Sequence, residues 1–298
     1  MAIPFVRDFE APYGEPVRAS PSIRRVLARN PSAFTFKGTG VYILGQGDVA
    51  VVDPGPDDPD HIAALKRALA GERVAHILIT HTHIDHSPAA RALKAWSGAT
   101  VYGYGPHGSG KIEEGVKVEE GGDLAFVPDV VVREGDTIEG VGYTIDCVYT
   151  PGHCSNHMCY ALREERALFT GDHVMGWSTT VVAPPDGDMA AYMKSLDKLI
   201  ARDDAVLWPT HGGPVRDPKP FLHAYREHRH AREAQIAACL ADGIGRIPDM
   251  VARIYRDIDP RLHAAAGMSA LAHLIQMVAE GRAVCDGVPS SRSIFRPV

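Results

Sequence analysis

The 298-residue sequence lacks several features that mark secreted, membrane-spanning or nucleic-acid-binding proteins. It does not open with a basic segment followed by an apolar core, and no uninterrupted apolar run reaches about 18 residues. We therefore expect neither a secretory signal nor a membrane span, and we expect a cytoplasmic location. The formal net charge is −6, which gives no general attraction for phosphate backbones. Nucleic-acid binding would need a local basic patch.

Cysteine is also scarce. The five cysteines are Cys147, Cys154, Cys159, Cys239 and Cys285, an odd number without a C-x-x-C pair. This pattern argues against a disulfide framework and against a structural zinc ribbon. We expect reduced thiols.

The chain has two kinds of pattern. Up to residue 219, short strand-like runs such as GVYILGQ alternate with helical patterns, which indicates a layered α/β domain. From residue 220 onward amphipathic helices follow one another with hardly a strand. Their apolar positions, such as Leu271, Leu274 and Met277, should be buried. The sequence therefore predicts one domain over residues 1–219 and a small helical module over 220–298.

The stretch ILITHTHIDHS, residues 77–87, places three histidines and an aspartate in six positions directly after an apolar run. Residues two apart in extended chain point the same way, so His81 and His83 can bind one metal ion. Asp85 and His86 follow where the chain turns into a helix, so a second ion could bind beside the first. Imidazole and carboxylate without cysteine favour zinc or a similar divalent ion over calcium. The alternative is a set of surface histidines without function.

Three more side chains of the metal-binding type follow turns at strand ends: His153 in TPGHC, Asp172 in TGDH and His211 in WPTHGG. Each alone could be a solvated loop residue. Because loops at one edge of a sheet are where binding sites collect, their recurrence predicts that they complete one site.

The order H-x-H-x-D-H, then a distant His, Asp and His, resembles the metallo-β-lactamase superfamily of hydrolases. The resemblance implies an α/β fold of four layers, an αββα sandwich. It further implies two metal sites with seven ligands, namely His81, His83 and His153 for one ion, Asp85, His86 and His211 for the other, and Asp172 between them. Asp53 in VVDPG matches the family's aspartate that orients the motif loop, as ligating histidines generally require. A plain turn aspartate is the alternative.

Further matches extend over nearly the whole chain to the LACTB2-like branch of this superfamily, in NPSAFTFKGTGVYILG, YTPGH and TGDHVMGWSTTVV. In that branch the helical tail resembles a small winged-helix module. The Gly-rich stretch 103–122 is a departure, and it could be a flap or a surface insert. Within it GPHGSGKI, residues 105–112, has Ile112 where a phosphate-binding loop needs Ser or Thr, so we expect no nucleotide site.

The implied cofactors are two divalent metal ions, zinc being favoured and manganese or iron being alternatives. A water that bridges two zinc ions ionises near neutral pH, and Asp85 is the predicted catalytic residue that ligates a metal and accepts the remaining proton. We expect hydrolysis of an ester, thioester, lactone or related bond of a small molecule, with weak β-lactam hydrolysis as a side activity. The alternative is a metal-dependent endoribonuclease that acts on single-stranded RNA, as the animal relatives and the winged-helix-like tail suggest.

Several residues near the predicted ligands are candidates for substrate contact. His157 could bind substrate, support His153, or be a buried structural histidine. Trp177, Ser178 and Thr179 follow Asp172 closely enough to line a pocket, although Trp177 could equally serve packing.

The helical tail raises two further possibilities. The basic stretch 223–232, with Arg226, Arg229 and Arg232, could meet a polyanion, but the sequence favours a solvated helix face. The module could cover one side of the active-site mouth or join a homodimer. A purely structural role for the metals is disfavoured, because a dinuclear set without cysteine rarely closes its coordination.

Overall fold

The computed structural model describes residues 2–108, 121–256 and 259–298. Seven strands lie side by side in chain order in the first sheet: β1 (Val17–Arg18), β2 (Ile23–Leu27), β3 (Gly40–Gln46), β4 (Asp48–Val52), β5 (Arg73–Leu78), β6 (Thr100–Gly103) and β7 (Val130–Val131). Five strands form the second sheet: β8 (Thr137–Gly140), β9 (Tyr143–Tyr149), β10 (Met158–Leu162), β11 (Ala167–Gly171) and β12 (Val206–Pro209). Both sheets mix antiparallel and parallel pairs.

The described residues form six α-helices beside the sheets: α1 (Pro59–Ala68), α2 (Ala89–Ser97), α3 (Met189–Ala201), α4 (Pro218–Ala241), α5 (Ile247–Ile254) and α6 (His263–Ala279). Asp58 caps α1 and Asp188 caps α3, and each side chain accepts a hydrogen bond from the backbone N–H of the third helical residue. Both helices therefore begin where the sequence provides a side-chain acceptor.

The two faces of the first sheet belong to different cores. In β3, Val41 and Ile43 pack with α1 and α2, whereas Tyr42 and Leu44 point to the second sheet. Successive side chains of a strand face opposite sides, so this apolar run is buried on both faces. The first sheet is thus the second layer of the molecule, beneath a layer of helices.

The second sheet repeats the arrangement. In β10, Tyr160 and Leu162 point to the first sheet, whereas Cys159 and Ala161 pack in the outer core with α3 and α4. The order of layers is helices, sheet, sheet, helices. The predicted four-layer αββα fold is confirmed.

The C-terminal module packs α4, α5 and α6 around its own core, which includes Leu271, Leu274 and Met277 as predicted. The expectation of hardly a strand was incomplete. A short antiparallel pair, β13 (Ala283–Cys285) with β14 (Phe295–Pro297), closes the module. Three-residue strands carry too few positions to show an alternating pattern, and the stretch around β14 therefore looked like a polar tail.

Helix α4 belongs to two cores. Near its start, Phe221 and Tyr225 pack with α3 and the second sheet, whereas Ile236 and Leu240 near its end pack with α5 and α6. The α/β body and the helical module are thus joined through a continuous helix. The boundary between residues 219 and 220 stays a prediction.

Among the described residues, one segment, Pro260–Ala279, is long and apolar enough to cross a membrane by length and composition. Of its most apolar window, 56% is buried inside the protein. The core helix of a soluble protein meets the same criteria, so this segment is weak evidence for a membrane span.

Candidate metal centre

The motif loop leaves β5 and turns back before α2 begins. The N–H groups of His86 and Ser87 both donate to the His83 carbonyl, at 3.0 and 3.2 Å, which closes a tight turn. Gly55 at the end of β4 donates to the His86 carbonyl at 2.9 Å and accepts from Ala89 at 3.0 Å. The loop is therefore fixed at the carboxyl ends of two neighbouring parallel strands.

The first predicted metal triad is assembled. Nε2 of His81 lies 2.9 Å from Nδ1 of His83, and Nε2 of His153 lies 3.1 Å from the same atom. All three ligand atoms lie within 4.8 Å of one another. His153 comes from the loop between β9 and β10, so the fold joins the two halves of the sandwich at this point.

The second predicted triad lies beside the first. Oδ2 of Asp85 is 3.3 Å from Nε2 of His86 and 3.1 Å from Nε2 of His211. These ligand atoms too lie within 4.8 Å of one another. His211 follows β12, so this triad also draws on both sheets.

Asp172, which follows β11, lies between the triads. Its Oδ1 is 3.4 Å from Nε2 of His211 and its Oδ2 is 3.5 Å from Nε2 of His86. It also forms a third compact group with His81 and His86, one histidine from each triad. The structure therefore brings all seven predicted ligands together, with Asp172 in the predicted central position.

The donor atoms fit bound cations. Nε2 of His86 and Oδ1 of Asp172 are buried without a hydrogen-bond partner, which is costly unless a ligand satisfies them. Nδ1 of His153 lies 2.8 Å from the Val181 carbonyl and Nδ1 of His211 lies 3.2 Å from the Gly38 carbonyl. Since a carbonyl only accepts, these contacts assign the proton to Nδ1 and leave the Nε2 lone pair for the centre.

Burial sets the protonation of the first triad. It lowers the pKa values of His81, His83 and His153, because the charged imidazolium is poorly solvated there. Neighbouring histidines lower the pKa of His81 further. Neutral imidazole is the form that binds metal ions.

The second triad has the opposite character. Burial alone would raise the pKa of Asp85, but His86 and His211 outweigh it and lower that pKa. Burial alone would lower the pKa of His211, but Asp172 and Asp85 raise it to about 10. The two carboxylates thus create a negative potential at buried imidazoles, and a divalent cation would compete with protons for this place.

Asp53 fixes a histidine in each triad. Its Oδ2 accepts from Nδ1 of His86 at 2.9 Å and from Oγ1 of Thr80 at 2.7 Å, while Oδ1 accepts from the Thr80 N–H at 2.8 Å. Because the Thr80 hydroxyl donates to Asp53, it accepts from Nδ1 of His81 at 3.0 Å. Asp53 itself is buried at the end of β4 with a left-handed φ of 48°. These contacts match the predicted orienting role.

His157 supports the centre from beneath instead of facing the pocket. It is fully buried, its Nε2 accepts from the Asp172 N–H at 3.3 Å, and its ring centre lies 5.2 Å from that of His81. A Cβ added to Gly171, whose φ is 48°, would lie 2.6 Å from this Nε2. The glycine of the TGD motif therefore allows His157 to approach the Asp172 backbone.

A pocket opens onto the centre, and Trp177, Ser178 and Thr179 line it as predicted. Trp177 also stacks on Phe36 with a ring separation of 4.7 Å, so it both lines the pocket and packs. The module contributes further lining residues that the sequence analysis missed, including His228, Arg229, Tyr255, Leu262, Ala265 and Ser269. The module thus covers part of the pocket mouth.

The prediction of a solvated basic face on α4 was wrong for Arg229, whereas Arg226 and Arg232 are partly exposed. Arg226 contacts Asp197 on α3 at 3.2 Å, and the Arg232 guanidinium lies over the Tyr255 ring at 4.5 Å. Arg229 is only 4% exposed. Because α4 lies between two cores, Arg229 is not part of any exposed basic face, while Arg226 and Arg232 make contacts within the protein.

Of the Gly-rich stretch 103–122, only 103–108 and 121–122 are described. Nδ1 of His107 lies 2.8 Å from Oγ1 of Thr82, inside the metal motif. The predicted flap, and residues 109–112 of the rejected phosphate-loop pattern, lie outside the described residues.

Comparisons with known proteins agree with this geometry. The model of the Metallo-beta-lactamase superfamily matches residues 35–211, and that of the beta-lactamase associated winged helix domain matches residues 247–288. The chain is 30% identical to the Beta-lactamase-like protein 2 homolog of Drosophila melanogaster, over 89% of this chain and 90% of the relative. It is 32% identical to an Atrochrysone carboxyl ACP thioesterase of Aspergillus chevalieri, over 78% of this chain and 70% of the relative.

The fold is also found in solved structures. The crystal structure of a Beta-lactamase domain protein from Burkholderia ambifaria superposes with a TM-score of 0.79 at 20% identity, covering 99% of this chain and 97% of that chain. Domain content and fold agree along the chain, including the helical module. The chain belongs to the metallo-β-lactamase superfamily of hydrolases, and it carries the associated winged-helix domain after its metal-motif domain.

Proposed function

We propose that this protein is a dinuclear metallohydrolase that cleaves an ester or thioester bond of a small molecule. The observation that carries the proposal is the position of Asp172 between two compact triads of buried ligand-type atoms. One ion would be held by His81, His83 and His153, the other by Asp85, His86 and His211, with Asp172 shared. Nitrogen and oxygen donors without sulfur favour zinc, with manganese or iron as alternatives.

Bound at such a site, a metal pair supplies a hydroxide nucleophile near neutral pH and polarises the substrate carbonyl. The protein holds the reacting groups in place. Thr39 donates to Oδ2 of Asp85 at 3.2 Å and itself accepts from Asn30 at 2.9 Å, so the Asp85 carboxylate has a fixed orientation. Asp85 also lines the pocket, where it can accept the proton that the nucleophile releases.

The substrate class is supported by the pocket and by relatives. Apolar side chains such as Phe34, Met175 and Leu262 line it together with the hydroxyl side chains of Thr35 and Ser178. Such a lining suits an acyl group better than a polyanionic chain. A relative of this chain is named as an acyl-carrier-protein thioesterase. Lactones and β-lactams contain carbonyl groups of similar reactivity and are secondary candidates.

A substrate panel tests the proposal. Protein loaded with zinc or manganese is assayed with a thioester, a simple ester, a lactone, a chromogenic β-lactam, a phosphodiester and single-stranded RNA. We expect turnover of the thioester or ester that is lost with a chelator and restored by metal. Cleavage of RNA alone would instead establish the endoribonuclease alternative, which the burial of Arg229 on α4 does not support.

A further inference from the structure

The winged-helix module and the metal centre line the same pocket. His83, Asp85 and Asp172 contribute from the sandwich, while Arg229 and Tyr255 contribute from α4 and from the end of α5. A substrate that reaches the metal centre therefore contacts side chains of the module. The chemistry of those side chains indicates what the substrate carries at its other end.

Arg229 is a buried cation without an anionic partner in the described chain. It is 4% exposed, one terminal nitrogen, Nη2, donates to the Thr180 carbonyl, and its guanidinium lies 4.9 Å from the centre of the Tyr192 ring. Nε is buried without a hydrogen bond. A buried charge that pairs only with a carbonyl and a ring is costly, whereas one with a carboxylate partner is far less so. The pocket beside it is the place from which such a partner can come.

Arg229 is held at a fixed position relative to the centre. Thr180 accepts from Arg229 through its carbonyl and donates from Oγ1 to the Asp172 carbonyl at 2.7 Å. One residue thus links the arginine to the shared ligand. Pocket-lining side chains such as Met175 and Val181 are apolar, which suits a short hydrocarbon segment between two polar groups.

The polar side chains near Arg229 add hydrogen-bonding groups without adding charge. Burial, together with Arg229 and Arg232, lowers the pKa of His228 to about 3, so its imidazole is neutral. Tyr255 lines the same pocket. Among the described residues that line this pocket, Arg229 is the one arginine or lysine, which matches a single negative charge at this end of a ligand, and a more highly charged phosphate would need further cations.

We propose that Arg229 binds the terminal carboxylate of an acyl ester or thioester whose scissile carbonyl lies at the metal centre. This inference rests on the proposed hydrolase function and narrows its substrate to the half-ester or half-thioester of a dicarboxylic acid. Hydrolysis adds water across the acyl–sulfur or acyl–oxygen bond, and it releases a dicarboxylate with a thiol or alcohol.

A matched pair of substrates tests the assignment. Zinc-loaded protein is assayed with the N-acetylcysteamine thioester of glutaric acid and with the analogue whose terminal carboxylate is a carboxamide. We expect the wild-type kcat/KM for the carboxylate substrate to exceed that for the carboxamide by at least about tenfold, as one charge-assisted hydrogen bond allows. Arg229→Gln should lower this ratio to near one, chiefly through KM, and Arg229→Lys should retain part of it.

Arg226→Gln is the matched control. Arg226 lies one turn earlier on α4 and contacts Asp197 outside the pocket, so the ratio should stay at its wild-type value. An equal loss for both substrates in Arg229→Gln would show that Arg229 only supports the loop at Thr180. A wild-type ratio near one would overturn the inference without any variant.

A binding measurement separates this inference from the proposed function. Calorimetry with thioether analogues, in which a methylene replaces the scissile carbonyl, compares the terminal carboxylate with the terminal amide and needs no turnover. If the protein prefers the carboxylate, loses this preference in Arg229→Gln and does not hydrolyse the thioester, then Arg229 binds carboxylate as inferred and the proposed reaction is contradicted. Hydrolysis without any carboxylate preference would support the reaction and overturn the inference.

Discussion

The Asp53 carboxylate accepts a hydrogen bond from Nδ1 of His86 at 2.9 Å, and neither side chain is accessible to solvent. Through Thr80 the same carboxylate also orients His81, which belongs to the other triad. Asp53 is inaccessible to solvent, yet its hydrogen bonds set the direction of two predicted metal ligands.

We expect Asp53→Asn to weaken metal binding about 10- to 100-fold, the usual effect of losing a carboxylate that orients a histidine. Competition with a chelating dye measures the affinity. Asp57→Asn, an exposed change in the following loop, serves as the control and should bind metal like the wild type. An unchanged metal affinity in Asp53→Asn would show that Asp53 is a plain turn residue.

Metal content should approach two divalent ions per chain, because two triads and a shared carboxylate are present. We expect His153→Ala and His211→Ala each to hold about one ion, since each removes a ligand from a different triad. Elemental analysis after saturation with zinc and gel filtration provides the count. A wild-type value of one or less would contradict the dinuclear proposal.

Asp85→Asn should reduce kcat by about 10²- to 10⁴-fold, because the amide cannot accept the proton that a general base takes. The fold should survive, since Thr39 can still donate to the amide oxygen. Thermal unfolding and metal content are measured alongside turnover. Near-normal turnover would remove Asp85 from the mechanism, and loss of metal would assign its role to binding alone.

The buried His61 predicts how the free energy of unfolding depends on pH. Burial lowers the pKa of this imidazole below 6.5, despite hydrogen bonding to the Pro54 carbonyl at 2.9 Å. Below pH 6.5 the unfolded chain binds a proton that the folded chain does not, so the free energy of unfolding falls as the pH falls towards the folded pKa. His61→Gln should flatten this slope by at most about 1.4 kcal/mol per pH unit.

Urea unfolding at pH 7.5 and 5.5 measures the effect at His61. His223→Gln, an exposed change on α4, provides the comparison and should keep the wild-type slope. An equal change in unfolding free energy with pH for His61→Gln and wild type would show that His61 does not contribute to the pH dependence of stability.

The sequence predicted the parts of the fold that local patterns encode. β3 and α3 lie where apolar runs and helical spacing placed them, and the ligand-type residues at strand ends converge because strand ends meet at one edge of each sheet. Their metal-binding role stays a prediction. The order of the motif residues indicated the superfamily, and the superfamily in turn implied the four-layer arrangement.

Residues whose environment is set by distant packing were not predictable. β2, with the sequence IRRVL, contains the buried Arg25, whose guanidinium donates to the carbonyls of Thr210 and Gly212. Two adjacent arginines resemble a solvated segment in any local pattern. The burial of Arg229 was missed for a related reason: α4 has protein on both sides, which no periodicity of its own sequence reveals.

Because α4 reaches from the outer core of the sandwich into the module, the proposed reaction chemistry and the proposed carboxylate recognition by Arg229 would lie on different parts of one polypeptide. The seven predicted ligands can stay unchanged while substitutions along α4, α5 and α6 alter which acyl groups fit. In a lineage of such enzymes, substitutions in the module would then change substrate specificity. A duplicated gene could acquire a new specificity while it keeps the metal ligands and hydrolysis. Grafting residues of a relative's module onto this chain is accordingly a more direct route to altered selectivity than changing the metal loop.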